Sequence, residues 1–515
     1  MRSRTLSAAP PHACERASLI AVASLFVGLM VTPALGAASP SADAWPQFQA
    51  DGAHSGSTSA GPQPPYRQIW RFDPGLSGRF GVSAPVVAGD LAVTVAPRAL
   101  YGVDLATGTQ EWAIERDFGP AVPPALVDDG AHTFVVFTEG FGPNPPSEVF
   151  AAPTEGPSSG SAPSPTASGS ASGGSADPGS DASFDSRVAA VDLATQQPVW
   201  DAPVQLDAIS RTGVTVEGTT AYVGDDDGVV TAIDAASGEV RWSYDAPGPV
   251  ATSIAATAAG VVLATQPEPN TTAVVIALDP TDGSERWRFA PAIPSISTVS
   301  AIEGDTVYLG STDQTGSRML ALALADGSRR WETAVNSQVS PLTSPVVTGE
   351  AIVAVDAYTQ VYGLDPATGE RIWDHALNTL TVRGVPVLVG HSLLIATAAG
   401  ELAAIDTDSH DLTARAAGTG PGGYLGPIAV TSQLVIAVKG GHRPGLVAFA
   451  HDPLASLTSI PSPTVLSIGT MLGNFALAAL PLLLLLGLSG RWLRAHLGPA
   501  FAEDLLDPEA GGGPA

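Results

Sequence analysis

The sequence predicts an all-β fold: a ring of eight four-stranded blades, a β-propeller, followed by one C-terminal transmembrane helix. Three observations predict the ring. A twelve-residue stretch ending in tryptophan recurs along the chain, each copy carries the chemistry of a β-hairpin, and the two ends of the array hold complementary fragments of one unit.

The copies read YGVDLATGTQEW, AAVDLATQQPVW, TAIDAASGEVRW, IALDPTDGSERW, LALALADGSRRW and YGLDPATGERIW, ending at Trp112, Trp200, Trp242, Trp287, Trp331 and Trp373. The last four tryptophans follow their predecessors by 42, 45, 44 and 42 residues. A period of about 40 to 50 residues marks a propeller or solenoid, with one supersecondary module per repeat. Within each copy a short apolar strand leads into an Asp, Thr or Ser, Gly turn, and a second strand starts near the tryptophan. Asp and Ser or Thr cap such turns through their side chains, and Gly supplies positive φ.

Residues 403–414, AAIDTDSHDLTA, keep the spacing but place Ala414 where tryptophan is expected. GLVAFAHDP (445–453) supplies a third strand with no fourth after it. RQIWRFDPG (67–75) supplies a fourth strand with nothing before it, and Trp70 stands 42 residues ahead of Trp112. This gives eight blades, with the N-terminal strand completing the last, a closure that removes exposed sheet edges. Seven blades is the alternative if the degenerate unit is not a blade. The 88-residue gap from Trp112 to Trp200 holds a Gly-, Ser- and Pro-rich insertion, residues 141–185, inside one blade. Such a composition cannot bury enough apolar surface to order itself, so a disordered loop is expected.

Residues 17–31 are apolar, follow Arg2, Arg4 and Arg16, and precede small residues at 34–36. This is the pattern of a secretory signal peptide, assigned to residues 1–36 and cleaved near Gly36 or Ala37. Cys14, the single cysteine, would leave with it, so no thiol, disulfide or cysteine metal site is expected in the mature chain. Residues 466–489 run 24 positions without a charge, about 36 Å as a helix, enough for a hydrocarbon core of about 30 Å. Arg491, Arg494 and His496 follow, which places the tail (490–515) in the cytoplasm and the propeller outside the cell membrane. Residues 453–465 read as a short tether.

The net charge of −27 argues against nucleic-acid binding and is explained by solubility. Lys439 is the one lysine among 23 basic residues.

The repeat [AG]-x-D-x-x-[TS]-G-x-x-x-W resembles that of pyrroloquinoline-quinone-type eight-bladed propellers, over residues 44–452. The opening AWPQFQADGAHSG (44–56) resembles the segment preceding the first strand in many members. The resemblance implies that Trp70, Trp112, Trp200, Trp242, Trp287, Trp331 and Trp373 dock between blades and pack on the turn glycine. The family contains quinoprotein dehydrogenases, with quinone, calcium and a catalytic aspartate, and a non-catalytic branch that includes an outer-membrane assembly lipoprotein. This chain has no adjacent cysteines, no surplus central tryptophan and no long funnel-building insertions, so the non-catalytic branch is favoured and no cofactor is expected.

Asp225-Asp226-Asp227-Gly228 could suggest calcium, but its place between two strands is that of a hairpin turn. The repeated aspartates (Asp104, Asp192, Asp234, Asp279, Asp365, Asp406) read as turn caps, and the histidines share no ligand spacing. No GxSxG elbow or P-loop occurs. The segments entering the inner strands carry Arg79 and Ser83, Arg211 and Thr212, Ser297 and Thr298, Thr343 and Ser344, Thr381 and Arg383, and Tyr424. Arg79, Arg211 and Arg383 are a candidate axial anion-binding ring, with pairing to nearby carboxylates as the structural alternative. The expected function is a non-catalytic protein-binding or scaffolding module of the cell envelope, with membrane or envelope proteins as partners. An anion or glycan sensor and, less favoured, a quinoprotein dehydrogenase are the alternatives.

Overall fold

The computed structural model of the chain describes residues 44–455 apart from 77–79, 141–185, 251, 266–271, 291–295, 297, 338–339, 358–359, 378–381 and 421. The expected signal peptide, insertion, membrane helix and tail lie outside the described residues, as does the tether beyond residue 455. The described residues contain no helix, and so none long and apolar enough to cross a membrane.

Eight antiparallel sheets follow one another along the chain. Blades one to seven span residues 86–115, 125–205, 215–245, 255–289, 301–336, 346–376 and 387–417. Blade eight takes three strands from 424–451 and its fourth from Tyr66–Phe72, which pairs antiparallel with Gly445–His451. The first strands of blades one to six neighbour one another in series, which makes them the inner ring. The degenerate unit is blade seven, complete, with Ala414 opposite Ala404; the seven-blade alternative is excluded.

Each position of the repeat has a physical reason. The Ala or Gly two residues before the aspartate stands directly opposite the tryptophan of the fourth strand: Ala232 opposite Trp242, Ala277 opposite Trp287, Gly363 opposite Trp373. A Cβ on Gly363 would sit 2.2 Å from that indole. The aspartate caps the turn: Asp104 Oδ1 accepts from the Thr107 amide at 2.7 Å, and Asp365 Oδ1 from the Thr368 amide at 2.8 Å. Hydrogen bonds from Thr107, side chain first, hold the Asp104 carboxyl below its ordinary pKa. A bulge then leaves one extra residue before the tryptophan, as at Arg241, Arg286 and Arg330. Arg241 and Arg286 reach back to their own turn aspartates, Asp234 and Asp279.

The core lies in the seams. Trp287 of blade four packs with Leu322 and Leu324 of blade five, all buried. In five seams the indole N–H also donates to a carbonyl in the next blade's turn: Trp70 to Leu105, Trp200 to Ala235, Trp242 to Pro280, Trp287 to Leu324 and Trp331 to Pro366, at 2.7–3.0 Å. The indole lies against the turn glycine, where a Cβ on Gly108, Gly238, Gly283, Gly327 or Gly369 would meet it at 2.5–2.7 Å. Trp112 and Trp373 depart from the expected docking. The turns they face carry Gln196 and His410 at positive φ instead of glycine. Among the described residues neither indole N–H has an acceptor.

Strand direction defines two faces. First strands run toward the hairpins that join them to second strands, and third strands run the same way, toward the aspartate-capped turns. The other face collects the second-to-third-strand hairpins and the segments entering each first strand. Glu139 and its cross-strand partner Arg187, the strand ends that flank residues 141–185 in sequence, lie at this latter face. The last strand, Gly445–His451, is a third strand and ends on the former.

Candidate functional site

One end of the propeller axis is closed by the chain itself. Residues 45–61 run once around the inner ring, visiting the blades in sequence order. Trp45 and Val87 exchange amide bonds in blade one, and the Leu126 amide of blade two donates to Pro46. In blade three the Gln47 side chain substitutes for backbone, donating to the Val216 carbonyl at 2.9 Å and accepting its amide at 2.8 Å. The Gly52 carbonyl then takes the Ala256 amide of blade four at 2.6 Å, Ala53 takes that of Ile302, Ser55 that of Val347, and Gly56 that of Leu388. Ser57–Thr58 pairs parallel with blade seven's first strand, and Gly61 lies against Val389 and Val430 of blades seven and eight. Inner strands have a free edge toward the axis, and this segment satisfies it.

The plug buries polar groups. Gln49 and His54 are 2 % and 1 % exposed, and both Gln49 amide atoms and His54 Nδ1 have no hydrogen-bond partner among the described residues. Burial lowers the His54 pKa from 6.5 to about 4, with a hydrogen bond to the Ser300 backbone opposing.

The open face is where the expected site residues fall. Three of the hydroxyls expected there are committed to backbone: Ser83 Oγ accepts the Val95 amide at 2.9 Å, Thr298 Oγ1 that of Gly310 at 2.7 Å and Thr343 Oγ1 that of Val355 at 3.3 Å. These hydroxyls cap second-strand amides just beyond the reach of the first strand. Ser344 Oγ accepts the Val299 amide of the preceding blade at 2.9 Å. Asp225 is a turn cap, accepting amides of Asp227 and Val229 at 3.1 and 2.8 Å. Its burial raises its carboxyl pKa. Among the described residues no group of acidic, histidine or cysteine side chains has the arrangement to hold a metal ion.

Of the three candidate arginines, Arg79 lies outside the described residues. Arg211 pairs with Asp226 of its own blade at 2.7 Å. Arg383 is exposed, lies 5.2 Å from the centre of the Tyr424 ring, and has no carboxylate partner among the described residues. Two basic residues that were not among the candidate site residues are more constrained. Arg116, buried, donates to the carbonyls of Ala96, Thr138, Gly119 and Pro120 at 2.6–2.9 Å, and burial lowers its pKa to about 10. Lys439, 3 % exposed, donates to the carbonyls of His442 and Arg443. A buried cation has no signature in a single sequence.

Comparison with known proteins fits this architecture. The family model described as outer membrane protein assembly factor BamB matches residues 185–340 and 336–450, more than half of the chain. The chain belongs to that family. The crystal structure of BamB from Moraxella catarrhalis superposes with a TM-score of 0.51 at 15% identity, covering 75% of this chain and 100% of that one. A europium-containing methanol dehydrogenase superposes at 0.53 and 12% identity, over 79% of this chain and 98% of the enzyme. At these identities the structural likenesses show a shared fold. A stretch of 138 residues is 38% identical to the serine/threonine-protein kinase AfsK of Streptomyces griseus. It covers 25% of this chain, which spans only 16% of the kinase.

Proposed function

We propose that this BamB-family propeller is a non-catalytic binding or scaffolding module of the cell envelope, held at the membrane by residues 466–489. The observation that carries the reading is how the axial residues are committed. One end of the axis is filled by residues 45–61, and at the other end the hydroxyls of Ser83, Thr298 and Thr343 cap backbone amides. Function then falls to the loops of a rigid ring. The last strand ends on the plug face, so a tether leading to 466–489 turns that face toward the bilayer and the open face away. Partners in the same membrane then meet the plug face or the rim. In-cell crosslinking of the full-length protein, affinity purification and mass spectrometry test this. A reproducible stoichiometric envelope partner is expected, and purification of the protein alone would sink the reading.

A second reading, an anion or glycan sensor, is favoured by exposed Arg383 and by the related stretch within a serine/threonine-protein kinase. It predicts that one such ligand raises the melting temperature of the wild type and not of Arg383→Ala.

A further inference from the structure

The seam between blades six and seven differs from the five seams sealed by an indole–carbonyl bond. The turn that Trp373 meets carries His410, at φ 61°, where those seams have glycine. In a sealed seam a Cβ at this turn position would overlap the indole, so the tryptophan cannot drop onto a turn bearing a side chain. Instead the Trp373 and His410 rings stack, with centroids 4.6 Å apart and planes at 20°. The seam opens into a cavity of about 300 Å³ on the plug face. Its apolar wall is Ile372, Val353 and Leu388, and its rim carries Glu350 and His391. Ile372 is 51% exposed, one of few large apolar side chains on the described surface.

The polar chemistry of this groove is one-sided. Glu350 is exposed and has no ion-pair partner among the described residues. His391 is occupied by Asp408, 3.1 Å away. Arg371, the nearest cation in sequence, is turned to the Val335 carbonyl and the Tyr362 ring. The groove therefore joins the exposed Ile372 side chain, beside the half-buried Trp373 ring, to an uncompensated carboxylate. Lysine and arginine match both parts, since their methylene stems lie along apolar surface while the charge stays at the rim.

We propose that the blade six–seven seam is a docking groove for an extended basic segment of a partner protein, with one Lys or Arg side chain lying over Ile372 and its cation on Glu350. This names a contact surface for the binding-module reading and rests on it.

The test uses the full-length protein in detergent and three probe peptides, Ac-GLKLG-amide, Ac-GLRLG-amide and Ac-GLELG-amide, titrated by calorimetry. The Lys and Arg peptides should bind and the Glu peptide should not. Glu350→Gln, at an exposed position, should weaken binding roughly fivefold, as expected for a partly exposed ion pair. His410→Gly should let Trp373 settle on the turn, close the groove and abolish binding. Equal affinity for all three peptides, no binding of any, or binding indifferent to both substitutions would each overturn the groove. Co-purification of an envelope partner with the Glu350→Gln/His410→Gly protein would then show that scaffolding proceeds through another surface.

Discussion

Trp70 donates its indole N–H to the Leu105 carbonyl at 2.7 Å. The tryptophan sits on the strand that completes blade eight and the carbonyl belongs to blade one, so this bond spans the closing seam of the ring. Trp70 is 7% exposed, and a Cβ on Gly108 beneath it would stand 2.6 Å from the ring. Trp70→Ala should lower stability by roughly 3–5 kcal/mol, the usual loss for a buried tryptophan. Trp70→Phe keeps most of the apolar contact and should lose about 1 kcal/mol for the missing hydrogen bond plus a share for the smaller ring. Urea denaturation of the three proteins gives the ordering, and equal midpoints would refute a closing role for this seam.

One unsealed seam and one sealed seam make a paired prediction. Gln196 holds φ 58° where its counterpart Gly238 holds φ 77°. A non-glycine residue in this region costs about 1–2 kcal/mol, so Gln196→Gly should stabilise by about 1 kcal/mol. Gly238→Gln should destabilise by more, because Trp200 must also lift off. Chemical denaturation checks both signs, and a destabilising Gln196→Gly would contradict the docking argument.

Acid should weaken the plug. The folded His54 pKa is lowered to about 4 from the ordinary 6.5. Between those values the unfolded chain binds a proton that the folded chain does not, so stability falls as pH drops through the window. The loss is about 3 kcal/mol when complete, at about 1.4 kcal/mol per pH unit. His54→Gln should flatten melting temperature against pH between 6.5 and 4. A variant retaining the full wild-type slope would assign the effect elsewhere.

Gly52 is the tightest point of the plug. A Cβ there would lie 2.8 Å from the Ala256 carbonyl oxygen and 2.9 Å from that of Val216, both fixed backbone. Gly52→Val should displace residues 45–61 from the inner strands and expose them to limited proteolysis. Uncut N-terminal residues in that variant, under conditions that leave the wild type intact, would count against the plug.

The fold was legible because a repeat shows its geometry many times over: the Asp-to-Trp spacing, read five times, fixes turn, bulge and seam together. Closure by the N-terminal strand could be read from the two fragments, since each lacks what the other supplies. The plug could not be read, because its bonds run mostly from backbone carbonyls of residues 46–58, and only Gln47 lends a side chain. His410 and Gln196 stood in plain view as breaks in the glycine column. Their meaning needs the neighbouring blade's tryptophan, which the sequence places 37 and 84 residues earlier. Ser83, Thr298 and Thr343 misled for the opposite reason: side chains at a funnel mouth look ligand-ready until the second-strand amides they cap are seen.

The position of the strand Gly445–His451 has a mechanical meaning. It lies inside blade eight, held on one side by Val435–Gly440 and on the other by Tyr66–Phe72. Its outer partner, Arg67, is tied to Asp452 across 385 residues of sequence. A load applied at Ala455 along the strand axis must shear two ladders at once, and one of those ladders is the ring's own clasp. Tension on the C-terminal end is thus borne by the propeller as a whole, where a strand at a sheet edge would peel away one bond at a time.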